Sequence, residues 1–158
     1  MEETMIEYRK ANLNDVEQIN YLYQEFFLHN ANQQPAYYKA AVESGRYPTF
    51  IIESENEELI IATNNGMIIG FIHILEDKTP PFDCYIPQRF VIGVDLYILP
   101  EYRKQGIGTK LINKAKSWAT ERDIDYIELN VLSVNENAIR LYKNAGFEVI
   151  SHIMRYRI

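Results

Sequence analysis

The chain has 158 residues, 47% hydrophobic and 24% charged, with a net charge of −6. That composition describes one globular domain spanning residues 1–158 with a sizeable core, and it excludes a disordered or low-complexity chain. No apolar run exceeds five residues, so no membrane span is expected; a lone Cys84 and three scattered histidines point away from disulfides and from a tetrahedral zinc site.

The N-terminal stretch MEETMIEYRK lacks the apolar centre of a secretory signal, and a cytoplasmic protein is expected. Charge is unevenly spread. Residues 1–100 carry 6 Lys/Arg against 15 Asp/Glu, whereas residues 101–158 carry 10 against 7. No cationic stripe spans the chain, so nucleic acid is not an expected partner. An anionic cofactor at the rear and a cationic substrate at the front would suit this balance, although an uneven solvated surface produces it too.

In chain order, MIEYRKA (5–11) reads as a first strand. Asn12 or Asn14 can cap the helix that follows, whose apolar positions Val16, Ile19, Leu22, Tyr23, Phe26 and Phe27 keep near helical spacing. NANQQP (30–35) should break it, and AYYKAAVES (36–44) should form a short second helix ended by Gly45. PTFIIESENEE (48–58) has no decisive period. ELIIAT and MIIGFIHIL then flank NNG (64–66), the Asn-Gly chemistry of a tight hairpin.

EDKTPPFDCYIPQ (76–88), with three prolines, is a loop, and RFVIGVDLYIL (89–99) is a strand stopped by Pro100. Ile107, Leu111, Ile112, Ala115, Trp118 and Ala119 share one helical face. YIELNVL (126–132) alternates as a strand. Ala138, Leu141, Tyr142 and Ala145 mark a last helix ended by Gly146, and FEVISHIMRYRI (147–158) closes the chain as a strand. This order predicts an α/β fold with a central mixed sheet and helices on both faces.

YRKQGIGTKL (102–111) stands at a strand-to-helix junction and carries two glycines, several cations and no acid. A helix starting near Gly106 offers unpaired N–H groups and the positive end of its dipole. Gly106 and Gly108 leave no Cβ to hold a ligand off the backbone, and Arg103 and Lys104 add charge. The combination suits a phosphate. It is neither a P-loop, which needs Gly-Lys-Ser/Thr, nor a dinucleotide fingerprint, since Leu111 stands at the third glycine.

LYILPEYRKQGIGTKLI followed by NENAIRLYKNAGF resembles the GNAT family of N-acetyltransferases, which move the acetyl group of acetyl-CoA to an amine. The first block is similar to the family's R/Q-x-x-G-x-G/A motif. The second is similar to its N-x-x-A-x-x-x-Y-x-x-x-G-F signature, read here as Asn135, Ala138, Tyr142, Gly146 and Phe147. The specific part covers residues 94–147. The resemblance implies the acyl-CoA N-acyltransferase fold, a mixed and mostly antiparallel sheet flanked by helices, with acetyl-CoA as co-substrate and no metal.

Carried over residue by residue, it sets the main chain of Leu96, Tyr97 and Ile98 along the pantetheine, with an N–H near Ile98 facing the thioester oxygen. The side chains of Leu96 and Ile98 read as ordinary core residues besides. Arg103, Lys104, Gln105, Gly106, Ile107, Gly108 and Thr109 would wrap the pyrophosphate. Asn135 and Ala138 become cofactor contacts, although Ser133 to Glu136 also has the spacing of a capping box. Tyr142, by periodicity a core tyrosine, would face the departing sulfur and hydrogen-bond it.

The base that accepts the amine's proton is less defined. Asp95 lies on the right strand, though plain alternation would turn it away; Val94 stands where relatives place a glutamate; Glu128 and His73 are further candidates. Tyr21, Tyr23, Phe26, Phe27, Tyr37, Tyr38 and Tyr47, with Glu25 and Glu43, suggest a small cationic amine or polyamine as acceptor. The alternatives are a protein N-terminal or lysine amine and, from another class, a non-catalytic acetyl-CoA-binding regulatory module. With 11 residues after Gly146-Phe147, a homodimer by exchanged C-terminal strands is not expected, and one through other surfaces stays open.

Overall fold

The computed structural model describes residues 4–41 and 46–158. Five strands make one sheet in sequence order: β1 (Ile6–Lys10), β2 (Glu57–Asn64), β3 (Met67–Lys78), β4 (Arg89–Ile98) and β5 (Tyr126–Leu129). Neighbours run antiparallel except β4 and β5, which are parallel. The mixed, mostly antiparallel sheet is as expected.

The β2–β3 hairpin turns through Asn65 (φ 49°) and Gly66 (φ 82°), two left-handed residues that match the strands' own twist. Asn12 caps a 3-10 turn, Leu13–Asp15, that leads into helix α1 (Val16–Gln33); its Oδ1 accepts from Asn14 N–H at 2.9 Å.

Helices α1 and α2 (Arg46–Glu53) cover one face of the sheet, where Ile19, Leu22, Tyr23 and Ile51 meet Leu59, Ile61, Ile68, Phe71 and Tyr97. On the other face, α3 (Ile107–Glu121) lays Ile107, Leu111, Ile112, Ala115 and Trp118 on Ile60, Ala62, Ile72, Ile74 and Val91, with α4 (Glu136–Asn144) packed beside it through Leu141 and Tyr142. Each fully buried aliphatic side chain contributes about 2 kcal/mol, so two such layers account for a stable sandwich.

Three expectations need correction. Helix α1 continues through residues 30–33 and stops before Pro35. Residues 36–41 are not helical, and residues 42–45, including Gly45, lie outside the described residues. The second helix is Arg46–Glu53 instead; Pro48 sits in its first turn, where a missing N–H costs nothing. Finally, residues 147–158 form no strand. Val149, Ile150, Ile153, Met154 and Tyr156 are between 62% and 93% exposed. Alternation specifies two faces but not a partner, and β5, four residues long, receives none from this segment.

Candidate functional site

β4 decides where the site lies. It pairs with β5 only from Phe90 to Gly93, against Tyr126 to Leu129; beyond Gly93 the two strands part. On its other side, Leu99 N–H donates to the Ile69 carbonyl at 2.9 Å. Backbone alternation therefore aims the Ile98 N–H and carbonyl at the open edge. Arg103 Nε donates to that carbonyl at 2.8 Å, and its guanidinium lies over the Tyr97 ring, 5.3 Å from the centroid.

The same strand carries a bulge. His73 pairs with Asp95 and Ile74 with Gly93, which leaves Val94 as the extra residue. Without it, residues 91, 93, 95 and 97 would share one face. With it, Val91 packs against α3 while Tyr97 packs beneath α1 and α2. Asp95 is carried to the α1/α2 face as well.

There it joins a line of polar side chains inside an aromatic core. Tyr23, 0% exposed, donates its hydroxyl to Asp95 Oδ2 at 3.3 Å. His73 Nδ1 stands 3.6 Å from the same oxygen and 3.2 Å from the Tyr47 hydroxyl. On the far side of the ring, His73 Nε2–H donates to Glu57 Oε2 at 2.9 Å. His73 is 2% exposed, whereas the Glu57 side chain reaches solvent.

Tyr142 approaches from α4. Its ring meets Phe147 at 5.8 Å, and among the described residues its hydroxyl has no hydrogen-bond partner. Burial, and after it the charge of Asp95, push the phenol up to about 12.

The α3 start is a left-handed turn into a helix without a side-chain cap. Lys104 (φ 61°) and Gly106 (φ 81°) are left-handed, Gly106 is the helix cap, and no side chain caps the first turn. A Cβ on Gly106 would meet nothing within 4 Å. Lys104, Gln105 and Thr109 are exposed, with Gln105 Nε2 donating to the Glu101 carbonyl at 3.2 Å. Ile107 and Gly108 face inward instead: a Cβ on Gly108 would come within 2.9 Å of Leu141 Cδ2 and 3.3 Å of Ile98 Cδ1. These two residues have only their main chain to offer a ligand.

Asn135 caps α4, its Oδ1 accepting from Ala138 N–H at 3.2 Å, so the cap is Asn135 and not Ser133. Leu96 and Ile98 pack on the α3 layer with their side chains, and Glu128 lies half-buried on β5. The partners Tyr23, Tyr47 and Glu57 had no polar signal in the sequence. His73, a lone polar residue in the apolar run MIIGFIHIL, was the one sign of a buried network. Among the described residues, no group of three or more His, Cys, Asp or Glu is arranged to hold a metal ion, and no helix is long and apolar enough to cross a membrane.

Residues 16–147 match the model of the Acetyltransferase (GNAT) family. The chain belongs to that family. It is 32% identical over 117 residues to a Methanocaldococcus jannaschii protein named as an uncharacterised N-acetyltransferase; the match takes in 71% of this chain and 48% of that protein, so the chain spans about half of that relative's length. Among solved structures, a mutant Bacillus halodurans protein superposes with a TM-score of 0.90 at 19% identity, covering 96% of this chain and 99% of that one. An aminoglycoside N-acetyltransferase in complex with CoA superposes at 0.72 and 19% identity, covering 99% and 96%. Both share the GNAT fold seen here. The open β4 edge and the uncapped α3 turn beside Gly106 fit the long, anionic CoA ligand of a GNAT protein: one offers strand-like hydrogen bonds, the other unpaired N–H groups.

Proposed function

We propose that this GNAT chain transfers the acetyl group of acetyl-CoA to a primary amine by direct attack, and that the acceptor is a small cationic amine or polyamine. The observation that carries the reading is the edge of β4 left open beyond Gly93 next to the uncapped start of α3, with Asp95 on that strand and Tyr142 on α4, which packs beside α3. Such an edge suits the cofactor, and a carboxylate and a phenol supply a proton acceptor and a donor for acyl transfer to an ammonium ion.

Acetyl-CoA, when bound, supplies an activated thioester; the chain supplies position and proton transfer. Lys104 to Thr109, with Arg103 behind them, hold the pyrophosphate through main-chain N–H groups and charge. Leu96 to Ile98 hold the pantetheine arm, and Ile98 N–H receives the negative charge that grows on the carbonyl oxygen. An alkylammonium near its ordinary ~10.4 is about one part in a thousand neutral at pH 7.4, so deprotonation costs roughly 4 kcal/mol. Asp95 accepts that proton.

Tyr142 donates a hydrogen bond to the departing sulfur. Complete transfer from a phenol at about 12 to a thiolate near ~8.5 would be uphill by about 5 kcal/mol, so the proton stays largely with the phenol until charge has built up.

The acidic front half supports a cationic acceptor, as does the surface near α1. Tyr23, Phe26, Phe27 and Tyr47 pack within or against the core, but Tyr21, Tyr37 and Tyr38 are exposed, and Arg155 already lies 4.5 Å over the Tyr37 ring. An aminoglycoside acetyltransferase of the same fold acts on a polycationic small molecule, in line with this reading. The test is thiol release from acetyl-CoA with polyamines, simple alkylamines, aminoglycosides and lysine- or amino-terminal peptides. Release with small cationic amines is expected. Release with peptides alone would make it a protein acetyltransferase, and calorimetric acetyl-CoA binding without release from any acceptor would favour a non-catalytic binding module.

A further inference from the structure

We infer that His73, oriented by Glu57, holds the proton that Asp95 lifts from the acceptor amine. This rests on the assignment of Asp95 as the proton acceptor above.

The geometry is a carboxylate, an imidazole and a second carboxylate in line. Asp95 Oδ2 is 3.6 Å from His73 Nδ1, and Glu57 Oε2 is 2.9 Å from Nε2. Every element packed around the ring contributes to it. Asp95 comes from β4 and Glu57 from β2; Tyr47 comes from α2, and Tyr23 from α1 reaches the Asp95 oxygen. A histidine 2% exposed with acidic groups at both nitrogens is a costly thing to bury if it serves packing alone. An apolar residue would fill the space within the surrounding Ile and Phe layer.

Glu57 accepts from Nε2–H and so leaves the Nδ1 lone pair to accept from the Tyr47 hydroxyl at 3.2 Å, with Asp95 Oδ2 beside it at 3.6 Å. The Tyr47 hydroxyl can turn, donating to a bare Nδ1 and accepting from a protonated one. Two N–H bonds break in all: the first proton passes from the ammonium to Asp95 and on to Nδ1, and the second, released as the amide forms, goes to the departing CoA thiolate, which leaves as the thiol. The imidazolium then stands between two ionised carboxylates, each of which stabilises it. After the amide product leaves, Nδ1 returns the proton through Asp95 to water, which restores the starting tautomer. His73 touches no substrate and is a positioning residue; its effect is to keep Asp95 ionised while the amine attacks.

The test uses 15N-histidine-labelled protein saturated with acetyl-CoA, observed by NMR across pH. The native chain is compared with Glu57→Gln and Asp95→Asn, and His73→Gln assigns the ring. A neutral ring with Nε2 protonated and Nδ1 bare is expected, and Asp95→Asn should change the Nδ1 chemical shift. An Nδ1 protonated in the neutral ring, or an Nδ1 signal indifferent to Asp95→Asn, would overturn the inference.

Turnover of the acceptor found by thiol release gives the second reading. His73→Gln should lose about 10²-fold near pH 7 and recover as the pH rises toward the amine's own value, with KM for acetyl-CoA unchanged. A loss that is equal at all pH values would instead make His73 merely structural. Full turnover in Asp95→Asn would overturn the base assignment itself; lost turnover in Asp95→Asn with an unchanged pH profile in His73→Gln would overturn only the present inference.

Discussion

Gly108 lies against Leu141: a Cβ built on the glycine would come within 2.9 Å of Leu141 Cδ2. The second glycine of the Gly106–Gly108 turn therefore sets how closely α3 approaches α4, the helix that carries Tyr142 one residue further on. The two glycines of the motif should separate in experiment. Gly108→Val should lower stability by about 1–3 kcal/mol, because Leu141 and Ile98 must both give way. Gly106→Ala meets nothing in space but is strained at φ 81°, with a cost near ~1 kcal/mol and weaker acetyl-CoA binding as its main effect. Denaturant titration and calorimetry on both variants check this; equal stability losses would remove the distinction.

Tyr142 should show itself in kcat rather than in binding. Tyr142→Phe is expected to lower kcat by about 10–100-fold while KM for acetyl-CoA changes little. Since burial and the Asp95 charge raise the phenol to about 12, native kcat should show no alkaline limb from this group up to about pH 10. A limb between pH 9 and 10 that disappears in Tyr142→Phe would contradict the placement.

Asn135 offers a test of cap against ligand. Asn135→Ala should cost about 1 kcal/mol, and Asn135→Ser should recover most of it, because a hydroxyl can also accept from Ala138 N–H. Affinity for acetyl-CoA should stay constant in the serine variant. A stable Asn135→Ser protein that binds acetyl-CoA ten times more weakly would make Asn135 a cofactor contact as well as a cap.

Arg9 and Asp15 predict how the fold responds to acid. Arg9 donates to both Asp15 oxygens, at 2.7 and 2.9 Å, and ties β1 to the start of α1. These hydrogen bonds, helped by the Asn12 N–H, hold the Asp15 carboxyl below the usual carboxylate range against the opposing effect of burial. A folded value below the unfolded one adds stability that is complete above about pH 4 and is lost as pH falls through the folded value. Asp15→Asn should thus cost about 1–2 kcal/mol at pH 7, with Arg9 partly solvated, and much less near pH 2. Denaturation curves at the two pH values decide; a difference that does not change with pH would show that the Asp15 charge is not its source.

Local chemistry made much of the fold legible. Asn65-Gly66 demanded a hairpin, the apolar stripe from Ile107 to Ala119 demanded a helix on the sheet, and Gly106 and Gly146 stand at positive φ where a helix begins and another ends. The second helix was misplaced because AYYKAAVES favours helix locally, while the tertiary structure buries Ile51 from the next segment. The last strand was misplaced because alternation cannot say whether a partner edge is within reach.

Within the candidate site, the sequence by itself determined what local geometry carries: the left-handed turn at Lys104 and Gly106, and the place of Tyr142 on the last helix. A glycine or a helical period acts within a few residues, so it can be read within a few residues. Only the tertiary structure decided the fate of Asp95. One extra residue at Val94 reverses the parity of β4 and carries the carboxylate from one face to the other, where Tyr23, His73, Tyr47 and Glu57 converge from four separate elements. A bulge leaves no period in the chain, and residues up to 72 positions apart carry no mark of meeting. Their contact exists only because hydrophobic packing of α1 and α2 onto the sheet brings those polar groups together around the buried His73 and Tyr23, which must find partners there.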